Sequence, residues 1–383
     1  MIPPLAPAQG AGLLLAAAAS CYEAAAAFAL MFEAGADRSA APPGAAWPPV
    51  TVLKPLCGAE ADLYDSLRSF CDQDYPEFQI VFGVADPDDA AIDVVRRLQA
   101  EFPARDLRLV VDSHLHGESR KVSNLINMMR EARHDHLVLA DSDVLVRPQY
   151  LSRVVAPLLD PRVGIVTCAY RGRPRPGLWS ALGAMFINEW FIPSVRVAAL
   201  TGSRDFAFGV TIAIRRATLG LIGGFEAIAD QLADDFRIGE LTRRAGLATV
   251  LSDVVVETRV DEPSLRALVR HELRWLRTIR VVRPAGFALS FVTLGVPVAA
   301  LGAALAPGAP ALALLAIAGL ARLVICLTAR STASPVTRCL LIPVRDLLSV
   351  CLWAASFATR RVHWRDGRYR VARDGSAQLV VRI

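Results

Sequence analysis

Two aspartates separated by one serine have the spacing of a metal-binding pair. Asp141 ends the run HLVLAD, residues 136–141, and Asp143 lies two residues later. Carboxylate oxygens are the ligands that hard divalent cations prefer, and such a cation neutralises a diphosphate so that it can leave. A D-x-D pair alone is often a solvated turn, but a parallel strand that ends in acidic residues delivers them to the crevice where ligands bind. We therefore predict a divalent-cation site at Asp141 and Asp143.

Three further aspartates have the position and chemistry of site residues. Asp86 follows the apolar run IVFGVA and can accept hydrogen bonds from a base or a ribose. Asp234 and Asp235 are neighbours in the chain. Adjacent carboxylates raise each other's pKa, which suits one member of such a pair for general-base work near neutral pH. The alternative for this pair is the start of a helix, where aspartate is common as a cap.

The segment from residue 264 to residue 280 carries five arginines at helical spacing. Intervals of 4, 4, 3 and 3 residues place them on one face of a helix. Arginine forks bind phosphate bidentately, and Trp275 in the same helix can stack on a ring or anchor at a membrane interface. The alternative is a stripe beside the membrane that meets anionic lipid, which accounts best for the last two arginines. The five are Arg266, Arg270, Arg274, Arg277 and Arg280.

Strands and helices alternate in the part of the chain that carries the aspartates. Their alternation is typical of βαβ units and of a parallel sheet covered on both faces. Ligands of such sheets bind beyond the carboxyl ends of the strands, where Asp86 and Asp141 are expected. The β-rich runs are 50–56, 78–86, 107–112 and 136–141, and helical patterns lie near 60–72, 88–101, 120–133 and 148–158.

Apolar stretches at both ends of the chain predict membrane helices. Residues 11–32 are long enough to span a bilayer and are interpreted as an anchor. The uncharged run from Pro284 is broken at Pro307, Gly308 and Pro310, which predicts a hairpin of two spans, at about 285–306 and 311–329. Arginines flank both ends of this hairpin, so both ends are expected on the cytoplasmic side.

Two other apolar stretches carry charges. We expect residues 339–358 to be re-entrant or interfacial, because they contain Arg345 and Asp346 and a basic tail follows them. Residues 178–200 are aromatic-rich and fit either a helix lying at the membrane interface or a buried core helix.

The composition agrees with a globular domain joined to membrane segments. Hydrophobic residues make up 54% of the 383 residues and charged residues 21%, which excludes disordered, collagen-like and coiled-coil chains. The net charge of +5 favours anionic headgroups or a phosphate-bearing substrate over nucleic acid as the partner. Seven cysteines without a C-x-x-C pattern argue against a disulfide framework or a zinc site and favour a reducing, cytosolic face.

Taken together, the motifs resemble those of the ceramide glucosyltransferase family, inverting glycosyltransferases of the GT-A fold. The resemblance covers residues from about 50 to 370. Within the family the sequence is most similar to bacterial glycosyltransferases of hopanoid biosynthesis. The motifs that carry it are VTVLKP, the DSD strand end, GIVTCAYRG, FAFGVTIAIRR, GGFEAIADQLADDF and H-x-x-R-W.

The resemblance implies a role for each candidate residue. Asp86 would lie by the uridine, and Asp141 and Asp143 at the diphosphate and its Mg²⁺ or Mn²⁺, with Asp143 as the more direct ligand. Asp235 would be the catalytic base. The remaining matches to the donor site are His271, Arg274 and Trp275, where His271 replaces the family's glutamine or arginine, and Lys54 and Lys121, where Ser119-Arg120 departs from the usual NPK.

The resemblance also implies an architecture and a cellular place. The fold class would be α/β, a GT-A type mixed, mostly parallel sheet with helices on both faces, plus N- and C-terminal transmembrane helices. The protein would be a multi-pass protein of the inner membrane with its catalytic domain on the cytoplasmic side. The predicted segments are an anchor (1–35), a Pro-rich linker (36–49), the GT-A domain (50–262), an amphipathic helix with H-x-x-R-W (263–283), a membrane hairpin with a re-entrant or interfacial segment (284–358) and a basic tail (359–383).

These features lead to three hypotheses about the function. The first is transfer of N-acetylglucosamine or glucose from a UDP-sugar to a lipid hydroxyl, on a hopanoid such as bacteriohopanetetrol or on ceramide, by metal-assisted inverting displacement. The second is a processive polysaccharide synthase, which shares the acidic motifs but needs a transmembrane channel, for which three clear spans are few. The third is a non-catalytic membrane protein that binds nucleotide sugars.

Overall fold

The computed structural model describes residues 7–31, 46–60, 62–204, 206–359, 361–364, 367–371 and 376–382. Eleven strands lie in these ranges, and eight of them form one sheet. Its members are β1 (Val50–Pro55), β2 (Phe78–Val84), β3 (Asp106–Val111), β4 (His136–Leu139), β5 (Val144–Leu145), β6 (Val163–Pro174), β7 (Ile212–Arg215) and β8 (Ala248–Val260).

The large sheet is mixed. Its strand order is β3-β2-β1-β4-β7-β6-β8-β5. The pairs β2–β3, β1–β2, β1–β4 and β6–β8 are parallel, whereas β7 runs antiparallel to β4 and β6, and β5 antiparallel to β8. The four strands predicted from the sequence form one half of this sheet, and the residues that follow β1, β2 and β4 meet at the same edge.

Helices cover both faces of the large sheet because its strands carry apolar side chains on both faces. Val50 and Val52 of β1 pack on one face against α2 (Leu63–Cys71), α3 (Ala91–Glu101) and α5 (Tyr150–Val155). Leu53 packs on the other face with α4 (Arg120–Met128), α8 (Arg216–Leu221) and α9 (Asp234–Arg244). Two apolar layers therefore hold the strand ends rigidly in place.

The aromatic-rich segment is one helical element interrupted by a π-turn. It begins with α6 (Leu178–Phe186), continues through the π-turn Ile187–Phe191 and ends with α7 (Ile192–Leu200). Most of its first half is buried against β6 and the helix α10 (Leu265–Val282). A packed helix was one of the two alternatives considered for this segment.

Apolar helices stand at both ends of the described chain. By length and composition alone, α1 (Pro7–Met31), α13 (Ala309–Thr328) and α14 (Pro335–Ser356) are each long and apolar enough to cross a membrane. Between α10 and α13, the segment Pro284–Thr293, which begins with α11 (Pro284–Leu289), and α12 (Gly295–Leu305) are bent by 76° at their junction. The first arm of the expected hairpin is thus broken, which is the shape of a broken span or a re-entrant loop.

Residues 339–358, the segment predicted to be re-entrant or interfacial, lie almost entirely in the continuous helix α14, and their placement relative to a membrane stays a prediction. The charges that argued against a span have partners inside the protein. Arg345 contacts Glu272 of α10 at 2.6 and 2.8 Å, and Asp346 accepts a hydrogen bond from Arg322 of α13 at 3.0 Å. Paired charges within apolar surroundings cost far less than isolated ones.

The predicted basic tail contains strands. Its described residues form a three-stranded antiparallel sheet. An isolated β-bridge joins Ser376 of this segment to Gln231 in the loop that precedes α9, and β9 also contacts α10. The strands are β9 (Arg361–Trp364), β10 (Gly367–Val371) and β11 (Ala377–Arg382). Of the predicted linker, only residues 46–49 lie within the described ranges.

Buried ion pairs join the helices to the sheet domain. Glu189 of the π-turn lies 2.8 Å from Arg322 of α13 and 3.0 Å from Arg338 of α14, and all three side chains are almost inaccessible to solvent. The pair of Arg345 and Glu272 has the same character. Removing one partner of such a pair leaves an uncompensated buried charge, so these contacts fix the position of α13 and α14 on the domain.

Candidate active site

A lysine connects two of the acidic motifs. Lys121, in the first turn of α4, places its Nζ 2.7 Å from Asp141 Oδ1 and 3.4 Å from Asp234 Oδ2. Burial opposes the ammonium charge, but Asp141 and Asp234 outweigh burial and keep the pKa of Lys121 above its usual value. The Lys121 ammonium group therefore contacts both Asp141 and Asp234, which are 93 positions apart in the chain.

Asp235 is held with both carboxylate oxygens fixed. Gly209 N–H donates to Oδ2 at 2.8 Å, and Phe236 N–H donates to Oδ1 at 2.7 Å. Burial and the charge of Asp234 raise the pKa of Asp235 to about 6, against the opposing effect of Lys121. The pair begins α9, as the helix-start alternative predicted, and a carboxyl with this pKa is mostly ionised at neutral pH.

Asp143 is partly buried directly before β5 and contacts the neighbouring strand β8. Its Oδ2 accepts a hydrogen bond from Thr258 of β8. Burial and the charge of Asp141 raise the pKa of the Asp143 carboxyl. In the part of the chain that the structure describes, no group of three or more His, Cys, Asp or Glu side chains could hold a metal ion by itself. Two carboxylates nevertheless fit a cation that takes its other oxygens from water and a diphosphate.

Lys54 lies beneath the D-x-D turn. Its side chain is completely buried, its Nζ donates to the Asp141 carbonyl oxygen at 2.5 Å, and it sits 3.9 Å from the centre of the Phe70 ring. Burial lowers the pKa of Lys54 to about 7, although Asp143 and Asp141 favour its charged form. Lys54 of β1 thus gives the backbone of the D-x-D turn a fixed hydrogen-bond donor.

The H-x-x-R-W motif lies on α10, beside the sheet edge. His271 Nδ1 donates to Glu262 Oε1 at 2.6 Å, and the His271 ring lies 4.2 Å from that of Trp275. Trp275 stacks in turn on Phe186 of α6, with ring centres 6.0 Å apart. The Arg274 guanidinium is 5.9 Å from the Trp275 ring. Aromatic packing therefore orients the motif.

A cleft of about 360 Å³ connects Asp143 with His271. Arg175 and Arg259 point into it, and each pairs with Asp62 of the loop after β1, at 3.3 and 2.9 Å. The sequence motifs did not single out these residues, nor Thr258 and Glu262. Only their position in the fold could indicate a role in the site. Arg259, Thr258 and Glu262 lie on or just after β8, whose carboxyl end reaches this edge of the sheet. The cleft is lined by Glu60, Asp62, Leu63, Ser66, Asp143, Arg175, Arg259, Val260, Asp261, Glu262 and His271.

Asp86 stands apart from the other candidate residues. It is exposed just beyond the end of β2 and accepts a hydrogen bond from the backbone N–H of Asp88 at 2.9 Å. Strand β1 lies between β2 and β4, so Asp86 shares the sheet edge with Asp141 without touching it. The structure brings Lys121, Asp141 and the Asp234–Asp235 pair into contact, and leaves Asp86 one strand away.

Comparison with known proteins identifies the family. The family model for glycosyl transferase family 21 matches residues 12–377. The chain belongs to this family. Ceramide glucosyltransferase 1 of Caenorhabditis elegans is 25% identical over 206 residues, which cover 54% of this chain and 44% of the relative. The ceramide glucosyltransferase of Komagataella phaffii is 36% identical over 110 residues, which cover 28% of this chain and 22% of that one.

These relatives confirm the predicted resemblance at the level of the family. The match spans about half the length of the first curated relatives, 44% and 50%. The closer similarity to hopanoid glycosyltransferases stays a prediction.

A solved structure confirms the predicted fold class. A mannosyltransferase from Pyrobaculum calidifontis, determined in complex with GDP-Man and Mn²⁺, aligns with a TM-score of 0.54 at 22% identity. The alignment covers 91% of this chain and 97% of that protein. The common element is the GT-A type mixed sheet with helices on both faces.

Proposed function

We propose that the chain is a membrane hexosyltransferase that moves N-acetylglucosamine or glucose from a UDP-sugar to the hydroxyl of a lipid. The observation that carries this proposal is the contact of Lys121 with both Asp141 and Asp234. That contact places the D-x-D motif, suited to a diphosphate, beside Asp235, suited to deprotonate an alcohol. Both groups are needed within one sugar's length for direct transfer.

The proposed reaction is a single displacement that inverts the anomeric carbon. The acceptor oxygen forms a bond to that carbon while the bond to the β-phosphate oxygen breaks, and UDP leaves with the electron pair. Asp235 takes the hydroxyl proton; its two backbone donors keep the carboxylate oriented. Arg274 stabilises the negative charge that grows on the leaving diphosphate.

A divalent cation fits the two carboxylates that face the proposed diphosphate. Asp143, with Asp141, would hold Mg²⁺ or Mn²⁺, both of which prefer oxygen ligands. When bound, the cation neutralises charge on the diphosphate. Lys54 fixes the backbone of the turn that carries both ligands, and the exposed carboxylate of Asp86 is left free to receive the uridine.

The apolar helices support a lipid acceptor. Because α1, α13 and α14 are long and apolar enough to cross a bilayer and are tied to the domain, the site would lie at the membrane surface. The arginines that flank the helices favour the cytoplasmic side of the inner membrane for the catalytic domain. Bacteriohopanetetrol and ceramide are the two acceptors that we propose to test.

The experiment uses membranes that contain the full chain. Radiolabelled UDP-N-acetylglucosamine or UDP-glucose is supplied with each lipid, and the product is extracted into organic solvent. We expect a labelled lipid that is lost on chelation of divalent cations and restored by Mn²⁺ or Mg²⁺. A labelled polymer that stays in the aqueous phase, or no transfer from either donor, would contradict the proposal.

A matched pair of variants separates the site from the fold. Asp143→Asn removes the proposed metal ligand. Asp112→Asn removes an aspartate that also follows a strand of the sheet, β3, but pairs with Arg130 at 2.7 Å outside the site. At the Mn²⁺ concentration that half-saturates the unaltered chain, Asp112→Asn should retain transfer and Asp143→Asn should lose most of it; equal activity of the two variants would argue against the metal site.

A further inference from the structure

Four partly buried aromatic rings form a continuous row beside the proposed base. We name Tyr170, Phe191, Phe208 and Phe206 the aromatic row. Ring centres lie 4.5 Å apart for Tyr170 and Phe191, 5.1 Å for Phe191 and Phe208, and 5.4 Å for Phe208 and Phe206. All four side chains retain access to solvent, unlike the fully buried aromatic residues of the core.

One member of the row directly precedes a residue that binds the proposed base. Phe208 directly precedes Gly209, whose N–H donates to Asp235 Oδ2 at 2.8 Å. Hydrogen bonds with the Thr167 hydroxyl, at 2.8 and 3.2 Å, fix the backbone of Phe208. The row therefore passes beside Asp235, where the proposed acceptor hydroxyl must stand.

The middle of the row reaches the apolar helices. Phe191 is the last residue of the π-turn and packs with a cluster that contains Ala26 and Leu30 of α1 and Ile325 of α13. π-Turns within helices are frequent at functional sites because they displace side chains from the regular helical positions. Here the π-turn places an aromatic ring between the membrane helices and the base.

A row of this kind suits a particular ligand. Partly exposed aromatic rings offer flat apolar surface, which the apolar body of a lipid can cover. A lipid alcohol has an apolar body directly behind its hydroxyl and must travel from the bilayer to Asp235.

We propose that the aromatic row binds the apolar portion of the acceptor lipid next to its reacting hydroxyl and so delivers that hydroxyl from α1 and α13 to Asp235. This inference rests on the proposed function and adds the acceptor subsite to it. The row is a specificity surface: it favours acceptors whose hydroxyl is attached to an apolar body over water and free sugars.

The test measures KM separately for the two substrates. Phe206→Ala and Phe208→Leu act on the row while sparing Phe191, whose loss would disturb helix packing. Each variant should raise the KM for ceramide or bacteriohopanetetrol, presented in nanodiscs, about tenfold, the factor expected for the loss of about 1.4 kcal/mol. The KM for the UDP-sugar should change by no more than about twofold, since neither Phe206 nor Phe208 lines the cleft around Asp143.

Phe102→Ala is the matched control. Phe102 is also partly buried, but it lies after α3 on a different part of the domain, 5.8 Å from the Arg68 guanidinium. It should leave both KM values at those of the unaltered chain. An unaltered acceptor KM in both row variants, or an equal rise in the two KM values, would overturn the inference.

The unaltered chain distinguishes failure of the row from failure of the function. If it glycosylates a lipid and both row variants retain its acceptor KM, the row is excluded and the proposed function stands. If it hydrolyses UDP-sugar in nanodiscs but glycosylates neither lipid, the proposed function fails, and the acceptor subsite fails with it.

Discussion

Replacement of Asp235 by asparagine tests the assignment of the base. Asparagine keeps the size of the side chain and one acceptor oxygen, but it cannot take a proton. One of the two backbone donors, Gly209 N–H or Phe236 N–H, would face the new amide nitrogen. Because general-base catalysis contributes about 10²- to 10⁴-fold, kcat should fall by roughly that factor.

The pKa of Asp235 determines the pH range over which the rate of transfer should change. A base with a pKa of about 6 is ionised to about nine-tenths at pH 7 and to about one-tenth at pH 5, so kcat should fall about tenfold between these values. The sign follows from the role: the ionised form is the active one, and the rate rises with pH through about 6. Initial rates of lipid glycosylation in membranes, at saturating donor, measure this limb.

Asp234→Asn provides the internal control for this reasoning. The charge of Asp234 raises the pKa of Asp235, so its removal should move the acidic limb to lower pH. Substantial turnover by Asp235→Asn, above about a tenth of the unaltered rate, would refute the assignment of the base. A limb that does not move in Asp234→Asn would refute the electrostatic explanation.

Three further predictions concern Lys121, the proposed metal ligand and the ion pairs of Glu189. Lys121→Met should move the acidic limb to higher pH, because the Lys121 charge lowers the pKa of Asp235, and an unmoved limb in a rate–pH titration would contradict this. Asp143→Asn should raise the Mn²⁺ concentration needed for half-maximal transfer at least about tenfold, and an unchanged metal titration would exclude Asp143 as a ligand. Glu189→Gln should destabilise the fold by about 3–5 kcal/mol, because it removes the charge that compensates Arg322, and thermal unfolding in detergent that matches the unaltered chain would disprove it.

Local sequence patterns predicted the half of the sheet that carries the D-x-D motif. Strands β1 to β4 and the helices between them follow one another in short βαβ steps, so each is visible in a short window. Asp141 at the end of one strand was therefore placed correctly at the sheet edge. Lys121 and Asp235 were assigned from the family resemblance, and their contact geometry was not predicted.

The partners of the site residues could not be predicted in the same way. Thr258 bonds an aspartate 115 positions earlier in the chain, and no short-range pattern marks such a pair. The same holds for the charges of α14. Arg345 contacts Glu272, which lies 73 positions earlier in the chain, and no short-range pattern predicts that pair.

The ion pairs that hold α13 and α14 have a consequence for biosynthesis. Glu189 leaves the ribosome 133 residues before Arg322 and 149 residues before Arg338. At ordinary elongation rates that interval lasts roughly 7 to 30 seconds. During this time Glu189 lacks both guanidinium partners, so the ion pairs that hold α13 and α14 on the domain form only after these helices have been translated. A fragment that stops before Ala309 would lack both arginines and would leave Glu189 without either of these ion pairs.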